Sequence, residues 1–349
     1  MKKVLLIFAI IIATCKLNAQ DLHFTQFYMT PVLLNPANAG AEYDLRGLIN
    51  YRSQWKSVTA PFVSTAAAFD MRLTEASPRK KKGFWAAGIY LYNDKSGDSK
   101  FTENKGSLNA AYHLYLNENM TLGAGFQAGY IQRSINMSGL QWGSQYNGLI
   151  YDANLPSMEA NNGKLTQGGL DFGSGLNWTY KKNERYSTGN NQMLINAGIG
   201  FQHISKPDVS YQNYINDELF YRWIGHVTGF IGIPNSNYTV APGILFMKQG
   251  PNTELMFGSN FIYKFKESSK YTGNLKGGSF GLGAFFRNKD AIALTALLEI
   301  ANYTIGFSYD YNTSKLSDYS NGNGGFEISF RYVHPSPFGG VTKSKSRFR

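Results

Sequence analysis

The chain has 349 residues, a net charge of +11, 37 glycines, 23 tyrosines, 24 phenylalanines and a single cysteine. One cysteine excludes an intrachain disulfide, and beyond residue 19 nothing approaches the roughly 18 consecutive apolar residues of a transmembrane helix. Abundant aromatics and turn formers, with almost no long helical periodicity, define an all-β chain.

At the start, Lys2 and Lys3 precede an apolar run from Val4 to Ala13, then Lys16-Leu17-Asn18-Ala19 and Gln20. The run is about half of the ~20 residues a spanning helix needs, so the pattern predicts a secretory signal peptide over residues 1–19. The rival reading lipidates Cys15, for which Ile12 and Thr14 make a poor cleavage site. Cutting after Ala19 removes Cys15 with Lys2, Lys3 and Lys16, which leaves 31 of the 34 basic residues against 23 acidic ones, a charge of +8. The remaining excess gathers at Arg79–Lys82, at Lys181-Lys182 and in a basic tail over 334–349 that carries Lys343, Lys345, Arg347 and Arg349. Solvated turns explain such clusters, as does contact with an acidic partner or anionic lipid, and their placement at turns argues against nucleic acid.

Residues 20–44 are irregular yet too apolar for a free tail. From residue 45 the alternation predicts fourteen antiparallel strands, near 45–52, 62–73, 83–92, 105–116, 120–132, 168–180, 192–203, 221–233, 237–247, 253–265, 278–287, 290–299, 302–311 and 325–333. In the fifth, Leu122, Ala124, Phe126, Ala128 and Tyr130 alternate with Thr121, Gly123, Gly125, Gln127 and Gly129. In the thirteenth, Tyr303, Ile305, Phe307 and Tyr309 alternate with Thr304, Gly306, Ser308 and Asp310. The last sets Phe326, Ile328, Phe330 and Tyr332 against Glu327, Ser329 and Arg331. A polar inner set makes a poor soluble core, because buried polar groups are unfavourable unless paired. It suits a wet lumen, and strands of about ten residues with apolar outer faces and closed pairing are the pattern of an outer-membrane β-barrel over 45–333. A large soluble β-sandwich is the competing architecture, favoured by the weak eighth and ninth strands, the latter interrupted by Pro242.

The connections carry a second sign. Asn117-Glu118-Asn119, Pro234-Asn235-Ser236 and the residues around Ala301 are very short and fall on one side, whereas the longest connections, near 133–167 and 204–220, fall on the other. Short periplasmic turns and longer outer loops would place Asn147 and Asp318 outside the cell and Lys81 and Lys343 inside.

No catalytic signature is present. His23, His113, His203, His226 and His334 lie far apart without ligand spacing, so neither a metal nor a cofactor is expected. Gly123-Ala124-Gly125 and Gly281-Leu282-Gly283 open no helix, and read as lumen-facing glycines in strands. Fourteen strands enclose space that must be filled or left wet, so residues 20–44 are expected inside the barrel or across its periplasmic mouth. For Arg52, Gln54 and Trp55 a strand end with an interfacial aromatic competes with a partner contact. For Asp94, Lys95 and Gly97 a plain polar turn competes with a binding loop.

The segment Phe24-Thr25-Gln26-Phe27, followed by Asn35-Pro36-Ala37, resembles the opening of the PorP/SprF family of type IX secretion outer-membrane proteins of the Bacteroidetes. The resemblance continues through Tyr51–Trp55, Asn93–Gly97, Leu170–Leu176, Gly200–Pro207 and the strand with Glu327-Ile328-Ser329, and fades in the tail. It implies a non-enzymatic barrel for protein export, adhesin presentation or gliding. It further implies partners among secreted cargo or adhesins bearing a type IX C-terminal domain and among other secretion components, some periplasmic, with outer-membrane lipid around it. On this reading Phe24, Gln26, Phe27, Asn35, Pro36, Arg52, Gln54, Trp55, Asp94, Lys95 and Gly97 are candidate partner-binding residues. A passive porin for small solutes is the alternative; an outer-membrane hydrolase would need a nucleophile and base that no spacing supplies.

Overall fold

The computed structural model describes residues 23–57, 60–74, 82–97, 99–138, 140–158, 163–182, 190–211, 217–266, 277–314 and 317–334. The expected signal peptide over 1–19, Cys15, Lys81, Lys343 and the tail beyond His334 lie outside the described residues.

Fourteen strands form one closed antiparallel barrel. They are β1 (Leu45–Gln54), β2 (Phe62–Arg72), β3 (Gly83–Ser96), β4 (Phe101–Tyr115), β5 (Met120–Asn136), β6 (Lys164–Lys182), β7 (Met193–Gln202), β8 (Arg222–Gly232), β9 (Tyr238–Gln249), β10 (Asn252–Lys266), β11 (Gly278–Arg287), β12 (Ala291–Ile300), β13 (Tyr303–Asn312) and β14 (Asn323–His334). Each pairs with its neighbours in sequence, and β1 closes on β14 from Leu45 opposite His334 to Gln54 opposite Gly325. Closure leaves no sheet edge at membrane depth, which a hydrocarbon environment demands.

The outward face is apolar. Ile49, Leu91, Leu108, Phe126, Leu170, Ile199, Leu282, Leu294 and Phe307 are all exposed on it. Aromatic pairs flank this band, with Tyr303 against Tyr332 toward one end and Tyr51 against Phe326 toward the other, as interfacial girdles do. The connections 137–163 and 203–221 sit at the same end, which turn asymmetry makes the outer end. There β3 to β6 rise above their neighbours. The strands reach Ser96 and Phe101, so Asp94 and Lys95 belong to β3 and not to a turn, opposite Glu103 and Thr102. Of the three, Gly97 lies in the turn, at φ +68°, and its carbonyl accepts from the Lys100 N–H at 3.1 Å.

The eighth and ninth strands read as weak because both their faces are apolar. Inward Ile224, Leu245 and Met247 are buried while outward Val227, Ile244 and Phe246 are exposed, which erases the alternation. Pro242 has no N–H to give, and the β8–β9 register is interrupted between Thr228–Gly243 and Ile231–Val240. The barrel closes around this gap.

Candidate functional site: the occupied lumen

Residues 23–44 thread the lumen. His23 lies beside Arg52 and Glu254 near the outer ends of β1 and β10, and the chain descends to Asp44 before β1 begins. The expectation of a segment inside the barrel or across its periplasmic mouth resolves as the former.

Local chemistry compacts this segment. Two prolines open short helical turns, Pro31–Leu34 and Pro36–Asn38. The residue before a proline is driven away from helical backbone, and Asn35 is extended at φ −152°, ψ 121°. Its side-chain oxygen then caps the next turn by accepting from the Ala37 N–H at 2.9 Å. Gly40 turns the chain toward β1 at φ +64°.

Two apolar sockets hold it. Phe27 and Leu34 pack with Ile224, Leu245, Met247, Met256 and Phe285 on the inner face of β8 to β11. The Phe27 ring meets that of Phe285 edge-on at 5.9 Å, and Tyr28 stacks on Phe285 at 5.4 Å. Across the lumen, Phe24 and Val32 pack with Leu48, Ala66, Ala68, Tyr90 and Tyr92.

Polar groups fasten the segment between the sockets. The Glu327 carboxylate accepts from the Thr25 and Gln26 main-chain N–H groups at 2.7 and 3.0 Å, and from Asn50 at 3.0 Å. Arg52 donates to the His23 carbonyl at 2.5 Å and to Asp310 at 2.7 Å. Arg287 bridges Asp310 and Asp290 and donates to the Thr25 hydroxyl. Deeper in the barrel, Asn35 donates to the carbonyls of Leu176 and Ile199, while Asn38 lies within hydrogen-bond distance of His226 and Asn177. The His113 ring reaches the Ala39 carbonyl at 2.8 Å. At the lower end Arg46 pairs with Asp70, which also accepts from the Gly40 N–H. Tyr43 lies between the guanidiniums of Arg46 and Arg331, at 5.5 and 5.6 Å, and burial pushes its hydroxyl up to about 12, so it stays neutral.

Inward glycines make room for all this. A Cβ at Gly175 would lie 2.0 Å from the Asn35 side-chain oxygen, one at Gly125 would lie 2.4 Å from the Ala37 nitrogen, and one at Gly200 would lie 2.5 Å from the Leu34 carbonyl. These strands are bare where the segment touches them. The lumen is therefore less wet than the inner residue set implies. Ser308, expected to face water, is buried, and its hydroxyl has no partner among the described residues. Above the segment, Val209 and Leu219 of the 203–221 connection pack on Ile131. Beside them Asp171 pairs with Lys105 and His203.

Of the sequence-derived candidates, Phe24, Gln26, Phe27, Asn35, Pro36 and Arg52 come together here, all buried. Gln54 and Trp55 lie at the outer rim of β1, where the Trp55 ring packs on Phe62 at 4.8 Å. Asp94 accepts from Ser64 at 2.5 Å, Lys95 is exposed, and Gly97 has open space around it. The strand alternation places Glu327 and Asp310 on the inner face without marking them as anchors, and Arg287, Asn177 and His226 join them only in the folded barrel. The available signal was a charge or amide at an inward strand position, a group that needs a partner in the lumen.

Closed strands, an apolar girdled exterior and a fastened internal segment define a plugged outer-membrane β-barrel. The chain belongs to the PorP/SprF family: the family model for type IX secretion system membrane protein PorP/SprF matches residues 16–332. Membership makes it a membrane protein of that system and implies contact with other components. Among solved structures it is similar to BamA from Haemophilus ducreyi lacking POTRA domains 1-3, with a TM-score of 0.39, 9% identity and coverage of 83% of this chain and 70% of that one. It is also similar to a FadL homologue from Pseudomonas aeruginosa, with a TM-score of 0.37, 10% identity and coverage of 85% and 93%. The comparison with curated proteins finds no match.

Proposed function

We propose that this chain is a non-enzymatic component of type IX secretion that, after signal-peptide cleavage, holds or passes large exported proteins such as gliding-type adhesins at the cell surface. The observation that carries this reading is the occupied lumen. An inner wall shaped to fit residues 23–44 suits an anchor better than a passage for solutes. Family membership supports the secretory setting. Exposed apolar side chains at the outer end, Leu149, Ile150 and Met158 among them, support contact with another protein.

A deletion strain tests the proposal. One or a few large proteins should disappear from its surface while small-solute uptake stays at the wild-type rate. Normal surface display with lost permeability to a solute would establish the porin instead.

A further inference from the structure

Among the described residues, one stretch of sheet outside the membrane lacks a neighbour. β6 pairs with β5 from Tyr180 opposite Met120 up to Lys164 opposite Asn136, but with β7 only from Ser174 to Lys182. Above Ser174 the 203–221 connection covers the first residues: the Ile204 N–H donates to the Phe172 carbonyl, the Ser205 hydroxyl donates to the Leu170 carbonyl, and Pro207 lies over Gly169. Main-chain groups of an antiparallel strand alternate between its two sides. Gly163 and Lys181 bond on the β5 side, and Phe172 on the other. The same parity turns the N–H and C=O of Gly168, Thr166 and Lys164 to the open side. Among the described residues nothing bonds to them there, and Lys164 and Thr166 are exposed.

The height of this edge is fixed by the outer face. Tyr130 and Leu170 are its uppermost exposed apolar pair on these strands, and one row higher come Thr65, Asn93, Asn104 and Gln132, opposite Gly168. The Asn93 amide donates to Asn104 at 2.7 Å, a bond that belongs at the polar boundary. Thr166 and Lys164 therefore stand above the hydrocarbon, where an open edge is tolerated. Closing this edge takes an extended backbone of about five residues, and open edges of this kind recruit foreign strands.

A second copy in the same membrane cannot supply that strand. Its β6 runs in the same direction, and a two-fold axis along the membrane normal sets the same residues opposite one another, donor against donor. We infer that the outer edge of β6, Lys164–Gly169, captures an extended segment of an exported protein by strand addition. This rests on the proposed function and names the surface through which it acts.

Thr166→Pro removes one edge-facing N–H and leaves the β5 side intact, while Thr166→Val keeps the N–H. Each is returned to the deletion strain and brought to the wild-type level of heat-modifiable barrel in the outer membrane. The readout is surface display of the protein that the deletion strain loses. Thr166→Pro should lower display at least tenfold and Thr166→Val should leave it unchanged. As a second measurement, a benzophenone amino acid at Thr166 should crosslink to that same protein, and one at exposed Asn117 at the opposite end should not. Normal display with Thr166→Pro and no crosslink from Thr166 would overturn strand addition while leaving the proposed function standing. Full display by the deletion strain itself would overturn both.

Discussion

Phe27→Ala separates the seating of the internal segment from the stability of the barrel around it. Phe27 is almost fully buried in a socket built from Ile224, Leu245, Met247, Met256 and Phe285. Truncating such a ring is destabilising by roughly 3–5 kcal/mol, transfer and cavity effects together. The barrel's main-chain pairing does not pass through Phe27, so the loss falls on the equilibrium between seated and released segment. At about 1.4 kcal/mol per factor of ten, the released population rises by roughly two to nearly four decades. Amide hydrogen exchange reads this directly, because exchange from a locally opened element reports its opening free energy. Peptides covering 24–44 should lose two or more decades of protection, and peptides from β12 to β14 should keep theirs. Equal loss in both would make segment and barrel one cooperative unit. Unchanged protection in the segment would mean that the socket does not hold it.

Other substitutions probe the faces, the charges and the orientation. Phe307→Arg sets a charge against lipid and should lower the folded fraction in membranes by roughly 2–4 kcal/mol near the midplane, whereas Ser308→Arg, aimed at the internal segment, should expose that segment to protease and spare the barrel. Arg52→Ala leaves Asp310 and Glu327 with one fewer cation and should destabilise the outer end of the segment by about 3–5 kcal/mol, seen as increased exchange at 23–27 before any change at 35–40. In a Cys15-free chain, Asn154→Cys should react with an impermeant maleimide on intact cells and Asn235→Cys only after lysis; the reverse pattern would invert the barrel.

The barrel was legible because lipid imposes a rule on every strand, apolar outward with period two, and the closing turns obey a length asymmetry. Where the rule weakens, in β8 and β9, the cause is the segment itself: Ile224, Leu245 and Met247 are apolar because Phe27 and Leu34 press on them. That correlation spans some 200 residues of sequence and leaves no local signature, so it read as doubt about the strands. The anchors were illegible for the same reason, since Thr25 and Asp310 are 285 positions apart. Asp94 and Lys95 misled in another way: an Asn-Asp-Lys-Ser-Gly run carries turn chemistry, but β3 continues through it above the membrane, where polar residues are free to face outward.

Ion conductance of the purified full-length barrel in planar bilayers tests the central claim, that the lumen is occupied by its own chain. The intact protein should stay closed, and a variant lacking residues 24–40 should insert equally well and open a steady, large conductance. A wild-type barrel that conducts as freely as the deletion variant would contradict the account.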